Sequence, residues 1–169
     1  MKSTIILLCI LSLIIFSCEP KKSSSEKGVA SKDTTIVSTD GYDSLLAKKL
    51  GADDYGMKQY VMAYLKKGPD RSQDSTTASE LQMAHLNNIM RMADEGKLVV
   101  AGPFMDDTAV RGIYIFNTPS VDTAAAWTNT DPAVIAGRLV MELHPWYGSA
   151  ALLQVNDLHK KIQKRSIAD

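Results

Sequence analysis

The chain has 169 residues, and its 19 Lys and Arg residues balance its 19 Asp and Glu residues, giving a formal net charge of +0 at pH 7. This length suits one core-forming domain and leaves no room for two catalytic lobes. A balanced charge without a basic helix argues against nucleic acid as a partner.

The N-terminus is predicted to be a signal peptide spanning residues 1–17. Met1–Thr4 supplies a positive charge, and Ile5–Phe16 is an apolar run of export-signal length, too short for a spanning helix. Residues 15–18, Ile-Phe-Ser-Cys, resemble the lipobox of bacterial lipoproteins. The resemblance implies that Cys18 is lipidated and anchors the protein to a membrane of the bacterial cell envelope, inner or outer. An ordinary signal peptide or an uncleaved anchor are the alternatives.

The two cysteines support the lipobox interpretation. Cys9 lies in the segment that a signal peptidase removes, and Cys18 carries the lipid, so the mature domain keeps no thiol for a disulfide, a metal or a nucleophile. The sequence also has no Gly-rich phosphate loop, paired-Cys motif, His-Glu-x-x-His motif or nucleophile elbow, and we expect no metal site and no cofactor.

A flexible spacer is predicted for residues 18–41, which are rich in Lys, Ser, Thr and Asp and poor in large apolar side chains. The folded domain is predicted over residues 42–156, with a polar tail at 157–169. Tyr42–Leu50 has helical spacing and ends at Gly51, which predicts a short N-terminal helix.

Two further elements follow in chain order. Met57–Leu65 is rich in strand-forming residues and predicts the first strand. After a polar loop, Arg71–Ala78, Ser79 is a plausible N-cap for an amphipathic helix that Gly96 closes.

The second half of the domain repeats the pattern. Lys97–Ala101 and Gly112–Asn117 predict a hairpin, Val121–Thr128 a helix capped by Ser120, and Arg138–His144 a last strand. The order strand-helix-strand-strand-helix-strand is that of a ferredoxin-like α+β fold. Strands with apolar residues on both faces suggest that the open sheet face packs on a second subunit, which predicts a homodimer.

His85 is the best-placed candidate for chemistry. It lies at the edge of the apolar face of the first long helix, where a carboxylate would fix its tautomer and favour proton transfer. A structurally satisfied helix histidine is the alternative. Asp131, before Pro132, fits an N-cap, and Asp106-Asp107 fits a hairpin tip.

An ordered series of short motifs resembles the YciI-like (YCII-related) domain, over about Met57 to Trp146. The motifs are His85-Leu86, Gly96 to Phe104, Asp106-Asp107, Gly112 to Phe116, Asp131-Pro132, Gly137 and Pro145-Trp146. The resemblance implies a dimeric α/β-barrel arrangement of ferredoxin-like subunits, with His85 and Asp131 paired in a cleft. It also implies a substrate pocket lined by Ser79, Phe104 and Trp146.

The resemblance sets the functional expectation, because characterised relatives include a dehydrochlorinase acting on a chlorinated hydroxyhydroquinone. We expect a cofactor-independent lyase or isomerase-like enzyme that uses His85 and Asp131 on a small cyclic or phenolic molecule. The alternative is a non-catalytic small-molecule-binding module of the cell envelope, and a third possibility is a structural dimer whose cleft is filled by side chains.

Overall fold

The computed structural model describes residues 41–168. The predicted signal peptide, Cys18 and nearly all of the predicted spacer lie outside the described residues. The elements in chain order are α1 (Ser44–Leu50), β1 (Met57–Lys67), α2 (Ser75–Asp94), β2 (Leu98–Pro103), β3 (Val110–Phe116), α3 (Val121–Thr128), α4 (Pro132–Ile135), β4 (Leu139–Ser149), a 3₁₀ turn (Ala150–Gln154) and α5 (Val155–Ile162). None of the described helices is long and apolar enough to cross a membrane.

The four strands form one antiparallel sheet in the order β2-β3-β1-β4. This is the strand order of the ferredoxin-like fold, in which the first strand lies between the third and the fourth, and the predicted α+β class is confirmed. The main core lies between the sheet and helices α2 and α3. It consists of Val61, Ala63, Leu65, Met92, Leu98, Tyr114, Phe116 and Ala124.

Helix α2 begins earlier than its sequence pattern indicated. The prediction of Ser79 as N-cap is wrong, because the cap is Asp74, whose Oδ1 accepts the Thr77 N–H at 2.9 Å. Much of the predicted polar loop is therefore helical, and Ser79 is an exposed residue within the helix. The predicted end is confirmed, since Gly96 follows the helix with a positive φ of 68°.

Strand β4 is longer than predicted, running past His144 to Ser149. Its pairing with β1 continues in register from Lys67 and Leu139 to Met57 and Ser149. Pro145 has no backbone N–H to donate, and β4 tolerates it because this strand lies at the edge of the sheet.

The sheet face opposite the long helices is partly covered by the chain itself. Leu152 and Leu153 of the 3₁₀ turn pack against Tyr60, Val99 and Ile115. The chain then continues into α5, so that residues 157–162 of the predicted polar tail are helical. The predicted homodimer would bury this face. Because the 3₁₀ turn already covers part of it, only the remainder is open to a second subunit.

Candidate functional site

His85 and Asp131 are brought together by two different elements, although 46 positions separate them in the chain. His85 lies on the buried side of α2 together with Asn88 and Met92. Asp131 is the N-cap of the short helix α4, and Pro132 occupies the first turn, as its sequence pattern predicted. The contact between α2 and α4 therefore places an imidazole against a carboxylate.

The pair is short and almost fully buried. His85 Nδ1 lies 2.6 Å from Asp131 Oδ2, with 7% of His85 and 0% of Asp131 exposed. The second carboxylate oxygen, Oδ1, accepts the Ala133 N–H at 2.9 Å. Since an ionised carboxylate only accepts hydrogen bonds, His85 Nδ1 is the nitrogen that donates to Asp131, which in a neutral imidazole leaves the lone pair on Nε2. Asp131 thus fixes both the position and the tautomer of His85.

Tyr114 completes the arrangement from the sheet side. Its hydroxyl lies 3.3 Å from His85 Nε2, and the two rings are stacked with centroids 6.2 Å apart. Burial, with a smaller contribution from the charge of Asp131, raises the pKa of Tyr114 far above its usual range. The hydroxyl therefore stays protonated, and it can donate to a neutral imidazole or accept from a protonated one.

A cleft of about 1090 Å³ borders His85. One wall is α2, through residues such as Leu86 and Ile89, and another is β2 with the adjacent Phe104. The C-terminal segment Val155–Ile167 contributes a further wall. The cleft therefore places the buried His85 at the edge of a space large enough for a small molecule.

The predicted pocket residues separate into two groups. Phe104 lines the cleft beside His85, whereas Ser79 does not, because the earlier start of α2 places it on the exposed side of that helix. Trp146 lies on the opposite sheet face, where it pairs in register with Tyr60 and borders a separate hollow of about 230 Å³. The structure thus brings together His85, Asp131 and Phe104, and leaves Ser79 and Trp146 away from them.

Two contributors to the site were missing from the sequence interpretation. Tyr114 could have been found, because strand periodicity puts it on the same face as Phe116, towards the helix that carries His85. The C-terminal wall gave no such signal, because its polar composition reads as a solvated tail.

Fold and site together define a ferredoxin-like α+β domain with a buried histidine–carboxylate pair beside a cleft. The sequence model of the YCII-related domain family matches residues 60–147, more than half of the chain. The chain belongs to the YCII-related domain family.

One solved structure is similar to part of the chain. The 5-chloro-2-hydroxyhydroquinone dehydrochlorinase from Burkholderia phenoliruptrix AC1100, in complex with 2,5-dihydroxybenzoquinone, is 18% identical. The similarity covers 51% of this chain and 92% of that one, with a TM-score of 0.39. A comparison with curated proteins finds no match.

Proposed function

We propose that the protein is a cofactor-independent lyase or isomerase-like enzyme that moves a proton on a small cyclic or phenolic molecule. The observation that carries this proposal is the 2.6 Å contact between His85 Nδ1 and Asp131 Oδ2 beside a cleft. A buried carboxylate that orients an imidazole and stabilises its protonated form is a general acid–base arrangement.

In the proposed mechanism, His85 Nε2 takes the proton from the substrate. Asp131 cannot rotate away, because its other oxygen is bound to the Ala133 N–H. The Tyr114 hydroxyl makes only a long, 3.3 Å contact with Nε2, so that it competes weakly with a substrate hydrogen. After the transfer, the same hydroxyl accepts a hydrogen bond from the new N–H or yields to the substrate. The proton can then return to another atom of the substrate or to a leaving group.

The test compares His85→Ala with His144→Ala in a screen of quinols and lactones. His144 is the control, because it lies exposed on β4 outside the cleft lining, where its side chain contacts Glu142 and the ring of Tyr64. We expect His85→Ala to lose at least about 100-fold in kcat/KM with its melting curve still cooperative, and His144→Ala to retain activity. Turnover by a folded His85→Ala protein would refute the enzymatic proposal.

A non-catalytic binding module is the second candidate, and one observation favours it. Both ring nitrogens of His85 already have protein partners, and only 7% of the residue is exposed. In this case the pair would fix the polarity of the cleft wall and would not react. A stoichiometric ligand retained through purification, with no product formed by the unmodified protein, supports this candidate over the enzyme.

The cellular setting is also a proposal. The order of charge, apolar run and Ser17-Cys18 at the N-terminus supports a lipoprotein anchored in the bacterial cell envelope.

The uncovered part of the sheet face, which includes Met62, Tyr64 and Ile113, supports a homodimer through that face. A molar mass of one subunit by light scattering would exclude the dimer.

A further inference from the structure

The cleft beside His85 has a marked excess of positive charge. Among the described residues, its lining includes five basic side chains and one acidic one: Arg71, Arg111, Arg138, Lys160 and Arg165 against Asp94. The whole chain has a net charge of +0, so that this excess is a local property of the cleft. A local excess of positive charge attracts an anion.

Two of the five cations are neutralised by carboxylates. Lys160 Nζ lies 2.8 Å from Asp94 Oδ1, and Arg111 forms an ion pair with Asp107 at the tip of the β2–β3 hairpin. The first contact joins α5 to α2, whereas the second lies within the hairpin. They leave the remaining arginines as the candidates for a ligand.

Arg71 and Arg138 have no carboxylate ion pair within residues 41–168. Arg138 Nη1 donates to the neutral Gln73 Oε1 at 2.8 Å, and Arg71 Nη1 donates to the Arg138 carbonyl at 3.3 Å. Asp70 has a lowered pKa mainly because it accepts hydrogen bonds from Ser72, while the charge of Arg138 is the smallest cause. Both guanidinium groups therefore keep unused donors.

The backbone ties these arginines to the histidine–carboxylate pair. The Arg138 N–H donates to the Ala133 carbonyl at 2.9 Å, and the Ala133 N–H donates to Asp131. Gly68 approaches so closely that a Cβ there would lie 2.1 Å from the Gly137 carbonyl oxygen, and its N–H donates to the Arg138 carbonyl. The same short segment that carries Asp131 thus also fixes the start of the Arg138 side chain.

We propose that Arg138 and Arg71 form an anion subsite of this cleft, so that the substrate carries a carboxylate or an ionised hydroxyl on its ring. A guanidinium group binds a carboxylate with two parallel hydrogen bonds, which a single ammonium cannot make, and it can also donate to a single ionised oxygen. The inference rests on the proposed function, because it assumes that the substrate occupies the cleft. In a proton abstraction by His85 Nε2, the electron pair left behind moves to oxygen, and the arginines stabilise that charge.

Calorimetric titration of the full-length protein in detergent tests this subsite with two probes. The probes are 2,5-dihydroxybenzoate and its methyl ester, which differ in charge but share the ring. We expect the acid to bind about 10-fold more tightly than the ester, because only the acid offers a charged partner to the guanidinium groups. Arg138→Gln and Arg71→Gln should each remove most of this preference, whereas Lys49→Gln, which removes an exposed cation of α1 outside the cleft lining, should retain it.

Several outcomes overturn the subsite. They are equal affinities of acid and ester, no binding of either, or a preference that survives in both arginine variants. Arg71 is exposed and makes one backbone contact, so that its variant keeps the test valid if Arg138→Gln does not fold. His85→Ala should lose turnover and keep the preference for the acid, which separates a failure of the subsite from a failure of the enzymatic proposal.

Discussion

Replacing Asp131 by asparagine should reverse the tautomer of His85. The carboxylate accepts from two donors, the His85 Nδ1–H and the Ala133 N–H. An amide of the same shape has one oxygen and one NH₂ group. If the oxygen keeps the Ala133 N–H, the NH₂ group faces Nδ1, which must then act as an acceptor. The ring proton moves to Nε2, where Tyr114 has to accept it.

The free-energy cost of Asp131→Asn follows from the same contacts. A hydrogen bond to a charged group contributes about 1.5–3 kcal/mol, and a neutral one about 0.5–1.5 kcal/mol. Exchanging the first kind for the second at a fully buried site should lower the free energy of unfolding by about 1–2 kcal/mol. The rate of the proposed reaction should fall by more than this loss of stability accounts for, because Nε2 then holds a proton and can no longer act as the base.

Ring-nitrogen NMR spectra of the two proteins measure the tautomer directly. The chain has only three histidines, and His144→Ala and His159→Ala assign the signals that do not belong to His85. We expect a protonated Nδ1 in the unmodified protein and a protonated Nε2 in Asp131→Asn. A protonated Nδ1 in both proteins would refute the assignment of Asp131 as the group that sets the tautomer.

Two further predictions concern other parts of the chain. The buried Tyr114 has a raised pKa, so that the unfolded state ionises first above the ordinary value of 10.0 and stability falls as the pH rises further. Tyr114→Phe should reduce this loss by up to about 1.4 kcal/mol per pH unit in urea titrations at pH 10 and 11, and equal slopes would contradict the argument. Cys18→Ser should abolish incorporation of labelled fatty acid in cells, whereas Cys9→Ser should not, and labelling of the Cys18→Ser protein would exclude the lipobox.

Local signals were sufficient for most of the fold. Helix α3 starts after Ser120 as predicted, because the Ser120 hydroxyl accepts the Thr123 N–H within the same turn. Gly96 and Asp131 likewise act through neighbours a few residues away. Such positions can be read from sequence, since both partners of each contact lie in one short window.

Non-local contacts explain the errors. Strand β4 continues past Pro145 because the start of β1 supplies its hydrogen-bond partners, about 90 residues away in the chain. Asp74 and Ser79 are both good N-caps, and local sequence does not decide between them. The side of the sheet on which Trp146 lies could have been predicted. Side chains alternate between the two faces of a strand, so Trp146 lies on the face opposite Leu139, Met141 and Leu143.

The C-terminal wall of the cleft lies beyond residue 147, where the family match ends. Asn156 donates to the Leu98 carbonyl, and Lys160 pairs with Asp94, so that a few surface contacts hold this wall to the domain. The histidine–carboxylate pair, by contrast, is built entirely from residues inside the match. Part of the cleft wall is therefore encoded outside the stretch of sequence that carries the pair. Substitutions after residue 147 can reshape this wall while leaving His85 and Asp131 in place.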